Sequence, residues 1–326
     1  MDKKQLGATD IFVTPVGMGV LTVGATQLAL SLEEGARLVR YALEQGINFL
    51  DTAECYMTYP QIRRALDGLA PSFAQGALPR PVIASKSLAC DYEGMRRAVD
   101  DCRSALDLDV IDIFLLHEVR QQPDLKDRSG AWACLQDEKA KGRVKAVGVS
   151  THHTDVVSEA AGIPGMEILF PLINFRGLGI RKGAGPGTKE EMAEAIRHAS
   201  MRGAGVFAMK AFGGGNLAGD YTKALGYAAS LPGVDSVMIG MGCKKDVDDA
   251  VAFFEGRLPD DFAPDVARKR MFVDRGDCEG CGACTARCTS KAIRLDDEGI
   301  AAVDSESCVL CGYCTPVCPT RALIML

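Results

Sequence analysis

The sequence predicts an α/β chain: a (β/α)8 barrel followed by a small, cysteine-rich α+β domain. Two observations carry this. Between Ser31 and about Glu255, short apolar runs alternate with longer amphipathic stretches, the pattern of βα units around a parallel sheet. Beyond that stretch the composition changes, and eight of the chain's 13 cysteines crowd into residues 275–326. The whole chain, 326 residues with 47% hydrophobic, 25% charged and 6% aromatic residues, is long enough to bury a large core and a small one. A doubly wound sheet is the alternative, but no G-x-G-x-x-G follows the first strand.

The expected strands, in order, are Val16–Leu21, Asn48–Ala53, Val82–Lys86, Ile111–His117, Val144–Ser150, Glu167–Ile173, Gly205–Ala211 and Asp235–Gly240. Helical patterns run between them. Leu32–Gln45 repeats apolar residues at Ala36, Leu38, Val39, Ala42 and Leu43, and Ala131–Lys141 is similar. Gly46 and Gly142 follow these two helices in the manner of C-terminal caps. Eight such units in about 255 residues match the usual size of a (β/α)8 barrel. The expected division is a barrel over 1–256, a connector over 257–274 containing Pro259 and Pro264, and a second domain over 275–326. That last domain falls into two similar halves, each followed by a short extended stretch, Ala292–Leu295 and Ala322–Met325.

The N-terminal residues lack the apolar core of a secretory signal, and no apolar run reaches the roughly 18–20 residues of a membrane span. The expectation is a cytoplasmic protein without membrane partners, in which thiols stay reduced. A formal net charge of −6 argues against nucleic acid as a partner.

Cys278, Cys281, Cys284 and Cys288 form C-x2-C-x2-C-x3-C, and Cys308, Cys311, Cys314 and Cys318 repeat it. Successive x2 steps wrap the chain around a cluster with several metal vertices. Structural zinc takes two pairs of ligands and leaves the extra x2 step unneeded. These residues resemble the two-cluster bacterial ferredoxins over nearly the whole domain. The resemblance implies two [4Fe–4S] clusters, with the fourth cysteine of each run serving the other cluster. One set would be Cys278, Cys281, Cys284 and Cys318, and the other Cys308, Cys311, Cys314 and Cys288. Thr289 stands where that family usually has proline. The added negative charge of two clusters would favour a basic patch on any redox partner protein.

Chemistry in a (β/α)8 barrel sits at the C-terminal ends of the strands. Those ends carry Asp51, with Tyr56 just beyond, then Lys86 and His117. A lysine that closes an apolar strand needs a carboxylate partner, and Asp51 is the available one. An ammonium beside a phenol would depress its pKa by up to about three units, making Tyr56 a proton donor and acceptor near neutral pH.

The runs Ile47–Tyr56, Ala84-Ser85-Lys86, Asp112–His117 and Val147–Ser150 resemble the aldo-keto reductase family, with the likeness covering about residues 1–255. That resemblance implies a tetrad of Asp51, Tyr56, Lys86 and His117. Tyr56 would be the general acid, Lys86 would tune it, Asp51 would hold Lys86, and His117 would position a carbonyl. It further implies a nicotinamide cofactor, NADP(H) or NAD(H), near Ser150, Asn174, Met209, Lys210, Gly213, Gly214, Gly215 and Lys244. Several positions depart from the family pattern. Thr151 replaces an asparagine, Phe170 a glutamine, Met209 the stacking tyrosine, and Asp246 and Ala250 the residues that hold the adenosine end. An acid near a 2′-phosphate repels it.

Hydride transfer moves two electrons together, whereas a [4Fe–4S] cluster passes one, so either a flavin at the mouth or a substrate that accepts single electrons joins the two halves, or the clusters serve a separate exchange. The Gly-rich Phe212–Leu217 segment offers a phosphate cradle for either cofactor. The leading expectation is an iron–sulfur oxidoreductase acting on a small carbonyl-type substrate. The alternative is an electron carrier that docks a partner and whose barrel is a scaffold with a vestigial pocket. Cys55 reads as a small packed residue or a thiol at the site. His152 and His153 read as exposed or mouth-lining, and the Arg176–Gly187 stretch as a surface loop or a lid.

Overall fold

The structure is a computed structural model that describes all residues except 121, 260, 266–269, 309–312, 316, 321 and 326. An N-terminal hairpin, β1 (Lys4–Gln5) with β2 (Phe12–Val13), precedes the barrel. The barrel strands are β3 (Val16–Gly19), β4 (Phe49–Asp51), β5 (Val82–Ser87), β6 (Ile111–Leu116), β7 (Val144–Thr151) and β8 (Ile168–Pro171). After a small hairpin, β9 (Arg181–Lys182) with β10 (Gly185–Pro186), come β11 (Gly205–Ala208) and β12 (Ser236–Gly240). The eight barrel strands pair in parallel and in sequence order, and β12 returns to β3 to close the ring. Every strand expected from the sequence is present; β5 and β7 run one residue further than expected, to Ser87 and Thr151, and the other six are shortened where the chain turns into a loop.

Two apolar groups explain the closure. Leu6, Ile11 and Val13 of the hairpin join Phe49, Ile113, Leu115, Ile168, Phe170 and Phe207 inside the ring and plug its N-terminal end. Outside, the amphipathic helices lie against the strands. They include α1 (Leu32–Glu44), α2 (Tyr59–Ala74), α3 (Tyr92–Leu106), α4 (Gln122–Asp127), α5 (Ser129–Ala140) and α6 (Thr154–Ala160). α7 (Lys189–Met201), α8 (Tyr221–Ser230) and α9 (Lys244–Phe254) complete the layer. Ser31 and Thr188 start α1 and α7 with capping boxes through Glu34 and Glu191, satisfying amide donors that the helix itself leaves unpaired.

The C-terminal domain holds β13 (Met271–Val273), α10 (Ala283–Arg287), β14 (Ile293–Leu295), β15 (Ala301–Val303) and β16 (Leu323–Met325). β14 pairs with β15 and β13 with β16, both antiparallel. β13 lies inside the stretch expected to be a connector. Its apolar Met271-Phe272-Val273 buries against the last strand, so ordered structure of this domain begins before residue 275. Gly280, between Cys278 and Cys281, has φ +65°, and a Cβ there would strike the Gly299 carbonyl oxygen. Among the described residues, no helix is long and apolar enough to cross a membrane.

Candidate active site and cysteine-rich domain

The C-terminal ends of β4, β5 and β6 bring Asp51, Lys86 and His117 together, with Tyr56 on the short helical turn Glu54–Tyr56 after β4. Lys86 is 1% exposed and Asp51 4%. Lys86 Nζ donates to Asp51 Oδ1 at 2.7 Å, Asp51 Oδ2 at 2.9 Å and the Thr52 carbonyl at 2.7 Å. A buried ammonium with three good acceptors has its donors satisfied. Burial raises the Asp51 carboxyl and lowers the Lys86 ammonium, and each charge opposes the shift of the other.

Lys86 Nζ sits 4.7 Å from the centroid of the Tyr56 ring. The Tyr56 hydroxyl points instead to His117 Nε2, 3.4 Å away, with the two rings edge-on at 5.5 Å. This corrects the expectation that Lys86 lowers the Tyr56 pKa. The ammonium's protons go to Asp51 and Thr52, while burial, then Asp51, Cys55, Asp274 and Asp277, push the phenol well above its ordinary value. His117 is driven the other way, well below its ordinary value, by burial and by Lys86 and Arg128, so its imidazole is neutral. Cys55 is exposed, with its sulfur 3.6 Å from His117 Nδ1, so it is not a packed core residue. With Tyr56 on one ring nitrogen and Cys55 beside the other, His117 is held in orientation from both sides. The site can therefore deliver a proton from a neutral phenol to a substrate oxygen steered by a neutral imidazole.

Arg128, at the start of α5, escaped the sequence reading because it is remote from every strand end along the chain. It is 3% exposed and donates to the carbonyls of Ser87, Ala89 and His117, tying the loops after β5 and β6 together beneath the site.

The residues expected to hold a dinucleotide are placed as follows. Ser150 Oγ accepts the Glu118 amide at 2.8 Å. The Asn174 side chain is doubly used by Leu178, accepting its amide and donating to its carbonyl, each at 2.9 Å. Met209 is half-buried and packs on the barrel core. Lys244 Nζ stacks 4.6 Å over the Tyr41 ring, and Asp246 caps α9 by accepting the amides of Gly242 and Cys243. Phe170 lies inside the ring, stacked on Phe207 with centroids 4.1 Å apart.

The cysteine-rich domain covers the same mouth. Lys210, at the end of β11, pairs with Asp277 at 3.5 Å. Glu118, paired with Arg120 at 2.8 Å, is pushed up to about 7 by burial and by the charge of Asp277. His152, half-buried and not exposed, is held down at about 3 by burial and by the charge of Lys210. Arg181, in the Arg176–Gly187 stretch, donates to the Pro319 carbonyl at 3.1 Å. The Met325 amide donates to the Gly214 carbonyl at 2.7 Å. Sequence reasoning missed Asp274 and Asp277 because nothing in a linear pattern says that the second domain folds back over the strand ends.

Cys278, Cys281, Cys284 and Cys318 line one pocket, together with Val273, Leu295, Ala301 and Leu323. Three come from the first run and one from the second. Burial and the neighbouring Cys318 and Cys278 raise the Cys284 thiol, whereas Cys314 is raised by burial and by Cys288 and Cys308. Amides of Ala301 and Ala292 donate to Cys278 and Cys288 sulfurs at 3.4 and 3.2 Å. A pocket lined by four thiols, with backbone donors aimed at sulfur, fits an iron–sulfur cluster. Cys311 lies outside the described residues.

Residues 15–225 match the profile of the aldo/keto reductase family, and residues 269–322 that of the 4Fe-4S dicluster domain. The chain is 30% identical over 169 residues to a 6-dehydroglucose reductase of Novosphingobium aromaticivorans, covering 48% of this chain and 53% of that protein. It is 27% identical over 145 residues to a morphine 6-dehydrogenase of Pseudomonas putida, covering 44% and 47%. The chain thus spans about half the length of these curated relatives. Among solved structures it resembles an aldo-keto reductase from Bacillus halodurans, with TM-score 0.63, 20% identity and coverage of 78% and 91%. It also resembles a Bombyx mori aldo-keto reductase in complex with NADP, with TM-score 0.57, 20% identity and coverage of 77% and 88%. At these identities the likeness is one of fold.

Proposed function

The chain belongs to the aldo/keto reductase family and carries a 4Fe-4S domain, and from that premise we propose that it reduces, or reversibly oxidises, a small carbonyl-type substrate at the barrel mouth. The observation that carries the proposal is the juxtaposition of the two halves: Asp277, directly before Cys278, pairs with Lys210 at the strand ends that also present Tyr56 and His117. Cys278, Cys281, Cys284 and Cys318 would hold one [4Fe–4S] cluster, and Cys288, Cys308, Cys311 and Cys314 a second. When bound, two such clusters would supply two electrons singly, which with one proton from Tyr56 to the oxygen and one from solvent to the carbon balances the conversion of a carbonyl to an alcohol.

The protein's own residues handle the proton. Neutral His117 orients the carbonyl oxygen through Nε2 beside the Tyr56 hydroxyl. Tyr56, protonated throughout the neutral range, donates as negative charge develops on that oxygen, and the Lys86 ammonium beneath the ring attracts the same charge.

Anaerobic turnover of a panel of small aldehydes and ketones, with reduced methyl viologen as electron donor, tests the reading. Tyr56→Phe lowers kcat/KM by about 10²–10⁴ with the cluster absorbance unchanged. Because the phenol is raised, wild-type reduction shows no loss from Tyr56 ionisation between about pH 6 and about pH 9. Undiminished turnover by Tyr56→Phe would mean that the barrel acts as a scaffold.

A further inference from the structure

We infer that the last strand of the iron–sulfur domain occupies the place where a cofactor's phosphates would lie, and that this barrel takes up no nicotinamide dinucleotide. The inference concerns the source of electrons and stands apart from the role of Tyr56.

The Gly-rich loop after β11 is where the sequence offers a phosphate cradle, and the structure shows what fills it. Gly214 gives its carbonyl to the Met325 amide at 2.7 Å. Gly214 and Gly215 have φ of +68° and +84°. A Cβ on Gly214 would lie 3.0 Å from the Ile324 side chain, and one on Gly215 would run into the Met325 carbonyl oxygen. The glycines are thus accounted for by the close approach of β16. The one buried side-chain atom left without a partner in this loop is Asn216 Oδ1, an acceptor, which repels a phosphate oxygen.

The two ends of the would-be dinucleotide site agree. At the carboxamide end, both polar atoms of the Asn174 side chain are committed to Leu178. At the adenosine end, Asp246 places a carboxylate at the start of α9, where a phosphate would meet like charge. The fold of the family is kept, whereas the groups that would recognise the dinucleotide are engaged within the chain. The reducing equivalents then enter from a one-electron donor through the iron–sulfur domain.

Two measurements on the full, iron–sulfur-loaded chain test this. In anaerobic equilibrium dialysis, NADPH and NADH show no saturable binding up to ~1 mM, the upper end of ordinary KM values, and neither bleaches the cluster absorbance that reduced methyl viologen bleaches. Saturable binding of either nucleotide overturns the inference. In hydrogen exchange, the Met325 amide is protected in the wild type, and Gly215→Val speeds exchange over Leu323–Met325 while barrel-strand amides stay unchanged. Free exchange at Met325 in the wild type, or no change in the variant, overturns the docking. If Gly215→Val fails to fold, the wild-type exchange and the dialysis still decide. Dinucleotide binding together with Tyr56-dependent turnover would defeat this inference alone, and turnover independent of Tyr56 without dinucleotide binding would defeat only the proposed function.

Discussion

Three acceptors within 2.9 Å surround Lys86 Nζ, and none of them is the Tyr56 hydroxyl. The residue types of the tetrad were legible in the sequence because an ammonium, a carboxylate, a phenol and an imidazole at successive strand ends form a chemically interpretable set. Their division of labour was not, because side-chain direction depends on packing. Lys86→Met leaves Asp51 buried without its cation and costs about 3–5 kcal/mol, measured by denaturant unfolding near pH 7. The loss shrinks at acid pH, where Asp51 takes up a proton. His117 and His152 are both held neutral by burial, His152 at about 3. Their folded pKa values lie below the unfolded value, so as pH falls from about 6.5 towards 3 the unfolded chain binds protons that the folded chain refuses. Stability therefore drops over that window, and the urea midpoint of His152→Asn falls less than that of the wild type.

Among the elements, α5 does more than cover the barrel. Its preceding residue, Arg128, donates to three carbonyls in the loops after β5 and β6, among them that of His117. Arg128→Met strands those buried acceptors and is expected to cost about 2–4 kcal/mol in thermal or denaturant unfolding, with KM rising as His117 loses its support. The element pattern itself was readable because short apolar runs between amphipathic helices admit few arrangements other than a parallel sheet, and eight of them suit a closed ring. The strand Met271–Val273 was not readable: three apolar residues in a proline-containing stretch become a strand only because Leu323–Met325 lies beside them.

For the molecule as a whole, the two cysteine runs fold across one another. Cys318 of the second run shares a cavity with Cys278, Cys281 and Cys284 of the first. Cys318→Ser and Cys278→Ser are therefore expected to abolish the same cluster signal in EPR, whereas Cys288→Ser abolishes the other. In each variant, bound iron falls from about eight towards about four per chain.

Spacing along the chain determined that this protein joins a βα barrel to an iron–sulfur domain, because ligand intervals and strand periodicity are local properties that a linear pattern records. Only the tertiary structure decided that the second domain packs against the mouth of the first. Asp277 reaches Lys210 and Met325 reaches Gly214 across separations that no local rule spans. The same glycines and lysine that read as a cofactor cradle in sequence become a docking surface in space. A carbonyl or an ammonium serves either partner equally well, and the one that folding brings within hydrogen-bonding reach is the one it holds.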